Sequence, residues 1–132
     1  MIPDKSIRPF LACMFSVGLC LAYAISRHEL PDWWRSHGGG IPYVVFWITL
    51  WLTIVPDRRR LIQICIGCVF ITCGLEFLQL WTGPEWLQSF RQTRFGAAWL
   101  GSGFDWHDIP PYVLGGFAGW LSGHLLVEPS VE

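Results

Sequence analysis

The residues best equipped for chemistry fall in two short stretches. CGLEFLQLW, residues 73–81, carries Glu76 and Gln79 three positions apart, which puts them on one face of a helix. GFDWHDIPPYVLGG, residues 103–116, carries Asp105, His107, Asp108 and Tyr112, and Arg91 and Arg94 lie between the two. An ionisable group at the centre of a membrane helix costs roughly 2.5–3.5 kcal/mol on insertion scales. Glu76 precedes Trp81 by five residues and so sits about 7.5 Å inside that boundary. At that depth it needs a partner. An arginine from the connector can neutralise Glu76 or Asp105, or hold a phosphate through paired N–H donors. The expected polar cluster is therefore Glu76, Gln79, Arg94, Asp105, Asp108 and Tyr112, with the glycines at 101 and 103 letting the connector fold back over it. Asp108, just ahead of Pro110 and Pro111, also fits the N-cap of the helix that follows, where a carboxylate meets orphan N–H groups and the positive dipole end.

Other chemistries have little support. Cys65 and Cys68 spell C-x-x-C, but they lie in continuous apolar sequence with no second ligand pair. They read as small packing residues, as do Cys13, Cys20 and Cys73. No metal site or cofactor is expected, H-E-x-x-H and G-x-S-x-G are absent, and whether the chain is an enzyme stays open. A net charge of −1 offers no basic footprint for nucleic acid.

The elements that must position these residues belong to a membrane protein. The 132 residues are 52% hydrophobic and only 14% charged, against roughly 25% charged in soluble domains. Nine tryptophans suit two lipid–water interfaces. The reading is a single all-α membrane domain of four transmembrane helices, at about 10–26, 41–55, 61–81 and 110–127. The first segment is read as a retained anchor, although its basic start and Ala22-Tyr23-Ala24 end also fit a cleavable signal peptide. The second is short against the ~20 residues a span needs, and Gly38-Gly39-Gly40 can extend it. The prolines at 110 and 111 fall in the first turn of the fourth, where a missing N–H does no harm. The connector from Thr82 to His107 mixes tryptophan, phenylalanine and leucine with charges, as an interfacial helix does, and a Trp-rich loop is the plainer alternative.

Four spans place the amino end, the Asp57–Arg60 hairpin and the carboxyl tail on one side, with five lysines and arginines against four opposite. Three arginines in one short hairpin resist translocation, so both termini are expected in the cytoplasm and the polar cluster on the outer face of the membrane. Gly115, Gly119 and Gly123 recur every four residues, a face on which backbones approach closely. That face is expected to pack on the third span or on a second copy of the chain.

Glu76, Gln79, Gly101, Phe104, Asp105, Trp106, Asp108, Tyr112 and Gly115, in that order, resemble the pattern of the small bacterial membrane proteins called domain of unknown function 2809. The resemblance covers roughly residues 10–127, with the specific motifs in the second half. A more distant similarity is to VanZ-like proteins, from which Tyr112 departs by standing where an asparagine is usual. What this implies is a bacterial inner-membrane protein with a polar site connected with the cell envelope, without a named reaction. Three functions follow as expectations: binding or processing an envelope lipid or phospholipid, service as an accessory subunit of a larger membrane complex, or transport or proton relay. Membrane lipid is the expected partner, with a homo-oligomer or larger complex beside it. The absence of an internal repeat makes transport the weakest of the three.

Overall fold

A computed structural model describes residues 4–78, 85–93 and 106–129, and all the regular structure among them is helical. The helices are α1 (Asp4–Ser26), α2 (Asp32–His37), α3 (Gly40–Ile54), α4 (Leu61–Leu78), α5 (Glu85–Gln92) and α6 (Ile109–Leu126). Short 3₁₀ turns at Arg27–Glu29, Arg58–Arg60 and Trp106–Asp108 lead out of α1 and into α4 and α6. Among the described residues, three stretches are long and apolar enough to cross a membrane: Asp4–Glu29, Asp32–Ile54 and Arg58–Leu78. The chain is thus a helical membrane protein. The expected fourth span folds as the 18-residue α6, but two prolines, four glycines and His124 dilute its apolar content and it is not among those three.

The helices form where apolar or small residues recur on one face. On α1, Ser6, Pro9, Cys13 and Ser16 make a buried stripe at spacings of three and four, turned toward α3. This packing carries α1 back to Asp4, six residues earlier than expected and straight through Pro9. On α4, Leu61, Cys65, Cys68, Thr72 and Glu76 form the corresponding buried stripe. The C-x-x-C pair therefore lies on a packing face, and both thiols are free. Val44, Ile48 and Leu52 of α3 join Leu61, Cys65 and Cys68 of α4 and Val127 in the core. The hydroxyls of Ser16, Thr49, Thr53 and Thr72 are satisfied within their own helices, as where Thr72 donates to the Cys68 carbonyl at 2.6 Å.

The short second segment of the sequence reading proves to be part of a longer rod. Gly38 (φ −61°, ψ −24°) and Gly39 (φ −65°, ψ −19°) both keep right-handed helical angles. Hence α2 and α3 run into one another through a joint rather than a loop, and Asp32–Ile54 counts as a single apolar stretch. Six residues are too few for α2 to announce itself by periodicity. Within the Thr82–His107 connector, the described residues form one short α-helix, α5, with Leu87 buried and Trp86 exposed.

α6 packs on both α3 and α4, and its glycines divide between them. A Cβ on Gly115 would lie 2.8 Å from the Ile41 carbonyl oxygen, and one on Gly119 would overlap Ile48, both on α3. On Gly116 and Gly123 it would overlap Val69 and Leu61 of α4. The expectation that Gly119 faces the third span or a second copy is thus corrected, because its neighbour is the second. Four-residue spacing defines a face, and here that face is wide enough to serve two helices.

Opposite ends of the bundle are tied differently. At the hairpin, Asp57 Oδ1 accepts the Arg59 N–H at 2.9 Å, and Arg58 Nη2 lies 2.8 Å from Nδ1 of His124 near the end of α6. His124 in turn meets Trp120 edge-on at 4.7 Å. At the other end, Tyr23 near the end of α1 donates its hydroxyl to the Trp34 or Arg35 carbonyl of α2, at 2.8 and 2.6 Å. The outward faces between are apolar, with Phe70 78% and Leu125 80% exposed, a surface suited to hydrocarbon rather than water.

Candidate functional site

The site is assembled at the bundle end where α2 meets α3, α4 ends and α6 begins. Glu76 lies on the last turn of α4, on the buried stripe, and is 3% exposed. One turn into α6, Tyr112 donates its phenolic hydroxyl to Glu76 Oε1 at 2.6 Å. Gly40 makes room for this ring: a Cβ there would stand 3.0 Å from both Tyr112 Cδ1 and Pro111 Cβ. The start of α3 therefore presses directly on the first turn of α6. Tyr43 closes the same flank, with its ring centroid 6.5 Å from that of Tyr112.

A second pair lies beside the first. Nδ1 of His37, at the end of α2, is 2.7 Å from Oδ1 of Asp108, and the side chains are 13% and 24% exposed. An ionised Asp108 takes a proton-bearing Nδ1, which fixes the ring and leaves Nε2 as its second hydrogen-bonding position. His107 stacks on His37 with centroids 5.4 Å apart. A carboxyl, a phenol, a carboxylate and an imidazole thus converge where an apolar bundle reaches its interface. Such a set can accept hydrogen bonds from a ligand's N–H or O–H groups and hand protons between them.

Of the residues expected in the polar cluster, Glu76, Asp108 and Tyr112 come together. Gln79, Arg94 and Asp105 lie outside the described residues. The N-cap reading of Asp108 is corrected. It holds the N-cap position of α6, but φ −79° and ψ −20° are helical angles and its side chain makes no cap hydrogen bond. A cap needs extended backbone to turn the carboxylate back on the first N–H groups. The 3₁₀ turn Trp106–Asp108 runs straight into α6 instead, so the carboxylate reaches across to His37. Both prolines do fall in the first turn of α6, as expected.

His37 is the member of this candidate site that sequence reasoning missed. It stands 71 positions from Asp108, in a stretch with no recognisable motif. The available signal was topological, since four spans put the residues before Gly38 and those before Pro110 on the same side. Among the described residues, no group of His, Cys, Asp and Glu has the makings of a metal site.

No curated protein and no solved structure matches this chain. One family does, over α2 to the middle of α6, a stretch that contains His37, Glu76, Asp108 and Tyr112 and leaves α1 outside it. With residues 29–116, two-thirds of its length, matching the family described as Protein of unknown function (DUF2809), the chain belongs to that family.

Proposed function

We propose that this protein binds a phospholipid headgroup at the His37–Asp108 and Tyr112–Glu76 pairs, on the outer face of a bacterial inner membrane. The observation that carries the reading is the placing of two hydrogen-bonded polar pairs at one end of an otherwise apolar bundle. Intramembrane ionisable groups are costly and mark binding or transport sites when they occur. Carboxylates accept hydrogen bonds, so the fitting headgroup is one that donates them, as ethanolamine or glycerol does and choline does not. Glu76 and Asp108 are each engaged by a neighbour rather than facing each other across an open cleft. That favours recognition over turnover.

The test is lipid retention. Protein reconstituted with equal phosphatidylethanolamine and phosphatidylcholine, then extracted gently, is expected to hold the former about five-fold more, equivalent to ~1 kcal/mol. Asp108→Ala should remove the preference in native mass spectrometry, and an unselective wild type would sink the proposal. The same reading takes α6 as a fourth span, with both termini in the cytoplasm. The tie between Arg58 and His124 supports it, because it places the hairpin and the end of α6 at one level. An alkaline phosphatase fusion after Glu132 is then expected to be inactive, and an active one would reverse the arrangement.

A further inference from the structure

Between α1, α3 and α6 lies a cavity of about 480 Å³, walled by residues such as Phe15, Leu19, Ile41, Val45 and Ala118. Its length follows from α1: Ala12 and Tyr23, both in its wall, are eleven residues apart, about 16 Å at the helical rise. That is close to half of the ~30 Å hydrocarbon core, the depth of one leaflet. A volume of 480 Å³ spread over this length gives a slot still narrower than a helix of 10–12 Å diameter. A second copy of the chain or a partner's transmembrane helix does not fit. A single polymethylene chain does.

The wall is more apolar than its composition suggests. Ser16 donates its hydroxyl to the Ala12 carbonyl at 2.9 Å, and Thr49 donates to Val45 or Phe46, also at 2.9 Å. These hydroxyls are satisfied within their own helices and offer little to water, which needs two to four polar partners to occupy a cavity. Left empty, the channel would forfeit dispersion contacts along its length, with hydrocarbon adjacent to fill it. At the shallow end stand Tyr23, Trp34 and Gly38, aromatic rings of the kind that sit at headgroup level. Arg35, 45% exposed, follows Trp34 directly and pairs with the exposed Asp32 at 3.2 Å, a surface pair that a lipid phosphate can compete for. Trp34 and Gly38 also flank His37, so the channel's mouth and the polar site are built from the same turn.

We infer that this channel seats one acyl chain of a phospholipid from the leaflet on the site's side. The identity of the occupant rests on the headgroup reading above, whereas the channel's capacity for a chain does not. The test uses phosphatidylethanolamine bearing a diazirine along one acyl chain, in vesicles with the full-length protein. After irradiation and digestion, adducts on the half-buried Ile41 and Val45 are expected to exceed those on the outward-facing Phe70 and Leu125 about five-fold, a preference worth ~1 kcal/mol. Ala118→Trp, which fills the channel, should abolish that excess and leave the Phe70 and Leu125 adducts unchanged. Should that variant fail to fold, Ala12→Leu is read in its place. Equal labelling of both sets in the wild type, or an excess that survives the filled channel, overturns the inference. Asp108→Ala separates the two proposals. Adducts that persist while ethanolamine and choline lipids label alike in both wild type and variant keep the channel and remove the headgroup reading. Ethanolamine selectivity without a channel excess does the reverse.

Discussion

Tyr112→Phe is expected to destabilise the protein by about 1.5–3 kcal/mol, although it deletes a single oxygen, if Glu76 is charged. The hydroxyl lies 2.6 Å from a carboxyl that is 3% exposed and set among apolar helices. Water cannot readily take the hydroxyl's place there, so the loss approaches the cost of withdrawing a hydrogen bond from a buried polar group. A double-mutant cycle isolates the contact. In a Glu76→Leu background the hydroxyl has lost that acceptor, and Tyr112→Phe should then change stability much less. Unfolding of all four proteins in mild detergent measures the coupling. Effects that add to within about 0.3–0.5 kcal/mol would show that the two side chains act independently.

Gly119→Leu is the second severe substitution. Even a Cβ at this position overlaps Ile48, which is itself 0% exposed and has nowhere to withdraw. Overpacking in a well-filled core costs typically 1–3 kcal/mol and occasionally more. The upper end is expected here, because leucine adds three more carbons beyond that Cβ, against an Ile48 side chain that is closed in on every side. Gly67 is the control: nothing lies within 4 Å of a Cβ built there. Gly67→Ala should therefore be neutral or gain up to ~1 kcal/mol from helix propensity. Trimming the obstacle should rescue the first variant, so Ile48→Ala with Gly119→Leu is expected to melt above Gly119→Leu alone. Similar melting temperatures for Gly119→Leu and Gly67→Ala would place the glycine face against lipid.

The parts of this protein that sequence made legible are those governed by one dimension. Long apolar runs gave α1, α3, α4 and α6 to within a few residues at most ends, because burying apolar surface in a membrane requires length before anything else. Glu76 stood out through its cost in such a run, and Tyr112 through its place beside Asp108. What stayed hidden depends on the choice of neighbour. Periodicity placed Gly115, Gly119 and Gly123 on a common face but carried no information about which helix lay opposite. Asp108 looked like a cap because its neighbours in sequence supplied a helix start, while its actual partner comes from another helix. His37 lacked any local signature. Its role arises only once α2 and α6 are brought to the same end of the bundle.

The joint between α2 and α3 bears on how the site can move. Pro42 offers no backbone donor, Ile41 bonds Gly38 through a three-residue turn at 3.3 Å, and the glycines at 38, 39 and 40 add no side-chain stiffness. The rod can therefore bend there at small cost, with α2 as a short lever and His37 at its inner end. Two described clasps resist the bend: Tyr23 against the lever's backbone, and Asp108 against His37 itself. A ligand group that competes for His37 opens one of the clasps as it binds. By reciprocity, whatever steadies α2 in its docked position must raise the free energy needed to engage that histidine. Occupancy and bending become two readings of one equilibrium, and amide exchange in residues 32–41 is the clock by which either can be followed.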